Sequence, residues 1–195
     1  LHTTKQGATD QLSAIRGAGA KGTRLTLSDA QQVPLGLRPS RATVFTHGFA
    51  SLAKFFPQGK ALTAAIEEDF WAELHGREPQ ASPLVFDDQY ISTGGQLYEI
   101  AVGHDRMLGD IRPLVFEKLG LVSSMTCHPY DICTALVLTE LGGVLETPSG
   151  RPVDAPLDTT SPVVWIAYAN EDLACLARPA LRRVLEKHLG EVELR

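Results

Sequence analysis

The chain is short of cysteine, of long apolar runs and of basic charge, and each shortage narrows what it can be. Its three cysteines, Cys127, Cys133 and Cys175, fit no C-x-x-C spacing. An odd set of this kind favours a reducing compartment over a disulfide framework. Nowhere do about 18 apolar residues run together, so no segment reads as a membrane span. The opening LHTTKQGATDQL lacks the basic-then-apolar pattern of a secretion signal. Lys and Arg number 18 against 23 Asp and Glu, a net charge of -5, and nucleic-acid binders show the opposite, a basic stripe. No G-x-S-x-G is present to mark the nucleophile elbow of a serine hydrolase. Repeats and low-complexity tracts are also missing. What is present is an ordinary globular composition, 44% hydrophobic and 21% charged, over 195 residues. That length buries one domain well, or one and a half. These features predict a soluble, cytoplasmic α/β protein.

The most informative stretch is Pro129 to Asp154. Pro129 suits a first helical turn, where its missing N–H would be unpaired anyway. Asp131 falls in that turn, where free N–H groups and the helix dipole favour a carboxylate. Ala135, Leu136, Leu138 and Leu141 form an apolar stripe at near-helical spacing. Gly142-Gly143 supplies the positive-φ residue that ends such helices. Val144 and Leu145 then start a strand, turned by Pro148-Ser149-Gly150.

This run resembles the C-terminal signature of the inositol monophosphatase family, Mg²⁺-dependent sugar and inositol phosphatases. The family pattern is W/Y-D-x-x-A, then E-A-G-G, a strand, a D-x-x-G-x-P turn and a late V-x-A-N. Here those read Tyr130-Asp131-Ile132-Cys133-Thr134-Ala135, Glu140-Leu141-Gly142-Gly143, Pro148-Ser149-Gly150-Arg151-Pro152 and Ile166-Ala167-Tyr168-Ala169-Asn170. Four pieces in the right order make a fairly specific signal. The resemblance implies the C-terminal half of an αβαβα sandwich: a mixed, largely parallel sheet of about five strands flanked by helices. It also implies Asp131 as a Mg²⁺ ligand that orients an attacking water.

The rest of the chain is read against that frame. Residues 1–40 are expected to hold a small hairpin and linker, the remnant of a missing N-terminal half, and 41–195 the phosphatase-like domain. Leu1 to Leu12 shows no hydrophobic period. Ser13 to Leu27 reads as a hairpin around a Gly-rich turn, like the family's R-G-x-G-A hairpin. Gly17, Gly19 and Gly22 neither follow a buried strand nor open a helix, which argues against a phosphate loop. Asp29 to Ser40 is a polar connection. Arg41 to Phe45 reads as a strand, and Ser51 as the N-cap of a helix running roughly to Leu74, interrupted near its start by Pro57-Gln58-Gly59. That order would set Thr46, His47 and Ser51 at the C-terminal edge of a sheet, where open α/β sheets bind ligands.

His75 to Ser82 is expected to be a loop and Pro83 to Phe86 a strand. Ser92-Thr93-Gly94-Gly95 then opens a helix through Ala101, and a small-residue turn there exposes N–H groups to a phosphate or sugar hydroxyl. In the resembled family a G-S/T-A-A turn contacts substrate in this place, which implicates Ser92, Thr93 and Gly94. His104–Asp110 is expected to form a strand followed by a connecting loop. The region Ile111–His128 is stretched relative to the family, so its substrate-holding acid has only candidates, Asp110 and Glu117. His104 and Asp105 are neighbours on a strand and should point to opposite faces, which argues against a general base with its orienter. Cys133 reads as a small buried hydrophobe. Cys127-His128 has no second pair to complete a soft-metal site. The chain closes with a strand, Pro162–Tyr168, and a helix, Glu171–Leu189.

The family's other metal motifs, G-E-E and D-P-x-D-G-T, have no counterpart; Glu67-Glu68 lies in a helix without a preceding glycine. One carboxylate holds Mg²⁺ only weakly. The first expectation is therefore the substrate-side half of a phosphomonoesterase for a small phosphorylated metabolite. Its partner would be the N-terminal half of the same enzyme or a homodimer mate, with no nucleic acid and no membrane. The second is a non-catalytic α/β binding or assembly module. An apolar face left open on a sheet or helix would support the first.

Overall fold

A computed structural model describes residues 2–3, 7–77, 82–123 and 125–190, with the backbone alone at 2–3. Alternating polar and apolar residues build the first sheet. β1 (His2–Thr3), β2 (Ala8–Ile15), β3 (Gly19–Thr26) and β4 (Gln32–Leu35) form an antiparallel meander in that order. The hairpin is therefore longer than Ser13–Leu27, and the expected connection contains a strand. On the inward row, buried Asp10 takes two hydrogen bonds from Arg24, each 2.7 Å, and one from the Tyr98 hydroxyl. The Arg24 guanidinium holds the Asp10 carboxyl below its ordinary range. The outward row is mostly polar, with Gln11, Ser13, Lys21 and Thr23, and carries the exposed Ile15 at its end.

The second sheet is mixed and largely parallel, as expected. β5 (Gly48–Leu52), β6 (Val85–Phe86) and β7 (Asp105–Asp110) run parallel, while β9 (Trp165–Tyr168) lies antiparallel between β7 and β8 (Val144–Glu146). The strand order is β6-β5-β7-β9-β8. One face carries α1 (Lys60–His75), α3 (Arg112–Lys118) and α5 (Glu171–Leu189). The other carries α2 (Thr93–Ala101) and α4 (Ala135–Glu140), sandwiched against the meander. Between the layers Leu52, Ile66, Phe70, Ile100, Met107, Trp165 and Ile166 are fully buried. No helix among the described residues is long and apolar enough to cross a membrane.

Two expected elements fall elsewhere. Arg41–Phe45 is not a strand, because Arg106 Nη1 takes the carbonyls of Val44 and Thr46 at 2.9 and 2.8 Å and draws them off any ladder. The strand forms at Gly48, where a side chain would overlap the Arg106 guanidinium. The helix expected from Ser51 starts only after the expected break at Pro57-Gln58-Gly59, at Lys60, where Gly59 at φ 74° takes a left-handed conformation that glycine adopts readily. Within the stretched region, Ile111–His128, the chain forms the unexpected α3. Part of the expected loop His75–Ser82, residues 78–81, lies outside the described residues. The last helix begins where expected: Asn170 Oδ1 accepts the Leu173 N–H at 3.0 Å, and its Nδ2 donates to Ser40 O and Ala42 O.

Candidate functional site

The C-terminal ends of β5 and β7 lie side by side, and α2 begins beside them. Ser92 caps α2, its Oγ accepting the Gly95 N–H at 3.1 Å. Gly95 must be glycine, since a side chain there would overlap the Tyr90 ring. Among the described residues the N–H groups of Thr93 and Gly94 donate no hydrogen bond. They are the open donors of a nine-residue helix, at its positive end.

Against this turn packs a 3₁₀ turn, Ile132–Thr134, which follows Asp131. A Cβ at Gly94 would sit 3.7 Å from Thr134 Cγ2, so the two turns are in contact. The continuous helix expected from Pro129 is therefore split into this turn and α4. Asp131 does not cap it through the helix dipole; its Oδ2 accepts the His128 N–H at 2.9 Å, closing its own turn. The His128 ring is further off, Nδ1 lying 3.7 Å from the same oxygen and stacking on Tyr130. The Asp131 side chain is 33% exposed, neither sealed in hydrocarbon nor held in a tight private ion pair.

Asp110 is not placed to hold a substrate. Its side chain is 1% exposed, and both oxygens are engaged by Arg112, at 2.8 and 2.6 Å, and by the Cys127 N–H at 3.2 Å. Glu117 lies exposed on α3. Thr46 and His47 precede β5 and so lie at the N-terminal end of the parallel strands, the opposite edge from Asp110 and α2. The cause is the displaced strand. Ser51 is near the correct edge but buried within β5, hydrogen-bonded to Gln89 Nε2 at 3.0 Å. Ser92, Thr93, Gly94 and Asp131 are thus brought together; Thr46 and His47 are not.

Cys127 lies beneath Thr93 beside Asp110, Asp131 and Trp165, and burial pushes its thiol up to about 12. A buried thiol raised in this way is unreactive as a nucleophile. Cys133, expected to be buried, is exposed.

Two further side-chain groups form contacts that the spacing of the sequence did not indicate. Lys54 donates to Glu67 Oε2 at 2.7 Å and pairs with Asp87, just past the end of β5. Burial pulls the Lys54 amine down, but the two carboxylates outweigh it and hold its pKa above the ordinary value. Glu67 shares the buried stripe of α1 with Thr63, Ile66 and Phe70; a charge on an apolar face was the available signal. The second group is His104–Asp105. His104 sits in the bend before β7, not on the strand, so its ring turns back to place Nδ1 2.7 Å from Asp105 Oδ1. The strand-alternation argument does not apply there. The ring stacks on Phe49 at 4.4 Å, at the opposite end of β7 from Asp131.

Among the described residues no group of three or more His, Cys, Asp or Glu is placed to hold a metal ion. Mg²⁺ needs several hard oxygens in near-octahedral array. Asp131 offers one free carboxylate oxygen, so the donors of this chain do not by themselves fit that ion.

The sequence matches no family model and no curated protein. The fold does match solved structures. SuhB of Mycobacterium tuberculosis superposes with a TM-score of 0.57 at 16% identity, covering 90% of this chain and 55% of that one. The inositol monophosphatase from Anabaena (Nostoc) sp. PCC 7120 gives 0.50 at 12% identity, covering 84% and 54%. Fructose-1,6-bisphosphatase of Leishmania major gives 0.54 at 12% identity, covering 90% and 50%. The chain spans about half the length of the solved structures it matches. What folds here is that part of the inositol monophosphatase architecture: the mixed five-stranded sheet with its helices and an antiparallel meander.

Proposed function

We propose that this chain is the substrate-side half of a phosphomonoesterase acting on a small sugar or inositol phosphate. The observation that carries the reading is the contact between two turns. The open N–H groups of Thr93 and Gly94 and the half-exposed carboxylate of Asp131 lie on neighbouring turns at the edge where parallel sheets bind ligands. In this reading the α2 terminus takes substrate oxygens, Ser92 holds that turn open, and Asp131 contributes one ligand to a Mg²⁺ site. When complete, such a site lowers the pKa of an attacking water. In this reading the remaining carboxylates are supplied by an N-terminal half that carries the G-E-E and D-P-x-D-G-T motifs.

The single carboxylate favours a second reading, a non-catalytic phosphatase-like module that binds or assembles. The two separate in one experiment: phosphomonoester hydrolysis with Mg²⁺, by this chain alone and with an added N-terminal half carrying G-E-E and D-P-x-D-G-T. Hydrolysis restored by the added half, and cut by about 10²–10³ in Asp131→Asn, supports the enzyme. Inertness in both settings supports the module.

A further inference from the structure

We propose that Asp110 and Arg112 are positioning residues that set the place of the Asp131 turn, an assignment that rests on the reading of Asp131 above. The segment leading into that turn is pinned residue by residue. Arg112 Nη1 donates to Met125 O at 3.1 Å, and the Cys127 N–H donates to Asp110 Oδ2 at 3.2 Å. Cys127 O accepts the Val163 N–H at 2.8 Å, and the His128 N–H reaches Asp131 Oδ2 at 2.9 Å. One buried ion pair thus holds the segment from beneath at both Met125 and Cys127.

The pair itself is rigid. Arg112 forks onto Asp110 through Nε and Nη2, and its backbone N–H adds a third bond to Oδ1 at 3.1 Å. The rings of Phe55 and Phe56 cover the guanidinium, at 4.9 and 5.5 Å from its carbon. A buried ion pair is a poor source of stability, since apolar side chains of the same volume often do as well. What it adds is directed hydrogen bonding to backbone. That is needed here, because Met125 stands at φ 58°, a conformation that side-chain-bearing residues rarely adopt. Its carbonyl bond to Arg112 holds that kink. The long excursion between α3 and the Asp131 turn is thereby anchored at the end that matters.

The test replaces the pair by apolar side chains of similar volume, Asp110→Leu with Arg112→Met, which is expected to leave the chain folded. Amide exchange followed by NMR should rise about tenfold or more at Cys127 and His128. Exchange at Trp165–Tyr168 in β9 should stay as in the native chain. Arg112→Lys, which keeps the charge but not the fork, should give an intermediate rise at the same amides and answers the question alone if the double variant does not fold. The assignment is overturned if Cys127 and His128 exchange as before, or accelerate only in step with β9. With the added N-terminal half, a positioning role lowers kcat while KM holds. If Asp131→Asn leaves hydrolysis untouched, the phosphatase reading fails and the exchange result still decides the positioning role.

Discussion

The Glu140 carboxylate accepts the Gly19 N–H at 2.9 Å, although the two residues lie 121 positions apart. Its other oxygen takes the Gly17 N–H at 2.8 Å, so the glycine-rich hairpin tip is an anion cradle filled by a side chain of α4. Gly17 and Gly19 both have positive φ, at 75° and 84°, which turns successive N–H groups to one side. Two separate motifs of the sequence therefore meet in one contact that ties the meander to the helix layer.

These N–H groups hold the Glu140 carboxyl below its ordinary value. Its stabilising contribution is present above the unfolded pKa and lost as pH falls through the lower folded one. Glu140→Ala should lower Tm at neutral pH and speed amide exchange at Gly17 and Gly19. The gap in Tm from the native chain should shrink on acidification. A gap independent of pH would mean that the carboxylate is not what the tip binds.

Asp105 has the opposite sign. Burial pushes its carboxyl up to about 6, although His104 opposes the shift. The folded state then binds the proton more tightly than the unfolded chain, whose carboxyl keeps a value of about 3.9. Its contribution is complete at low pH and lost as pH rises through about 6. Asp105→Asn removes that dependence and should gain about 2–3 kcal/mol on the native chain between pH 4 and pH 7.5. Urea denaturation at the two pH values measures it, and parallel changes in both proteins would dismiss the idea.

Gly109 on β7 faces Ile166 on β9, and a Cβ there would overlap Ile166 Cδ1 and approach Leu52 Cδ2 at 3.1 Å. Gly109→Ala should cost about 1–3 kcal/mol by overpacking. Ile166→Val removes the obstructing methyl and by itself should cost about 0.5–1.5 kcal/mol. Because the two residues touch, the double variant should be more stable than the sum of the singles predicts. Strict additivity in denaturant unfolding would count against this packing.

The opening of α2 can be tested without any reaction. Ser92→Ala loses the cap and should cost about 0.5–2 kcal/mol. Gly95→Ala displaces the Tyr90 ring and with it the turn. NMR titration of the native chain with inorganic phosphate should move the Thr93 and Gly94 amides, and both variants should weaken that response. Amides that stay in place in the native chain would remove the anion site.

Much of the fold was legible because its signals are local. Ser92 and Asn170 each cap a helix by reaching an N–H three residues on, and α5 begins and ends as read. Gly142, at φ 85°, ends α4 as its position after the apolar stripe indicated. Two of the misreadings share a cause: a residue outside the segment decided the outcome. Arg106 took the carbonyls of Val44 and Thr46, which moved β5 and carried Thr46 and His47 to the wrong edge for binding. Arg112 took Asp110 out of reach of any substrate.

Sequence alone determined the bounds of α5, the glycine turns, the largely parallel α/β pattern and the place of Asp131 at a helix entrance. Each depends on groups within about a turn of one another, where spacing fixes geometry. Tertiary structure alone decided which charges are buried and with whom, Glu67 with Lys54 and Asp110 with Arg112, and which distant groups meet nearer the surface, as Glu140 does with the hairpin tip. A buried charge must find its partner wherever packing brings one, and that distance in space has no counterpart in distance along the chain.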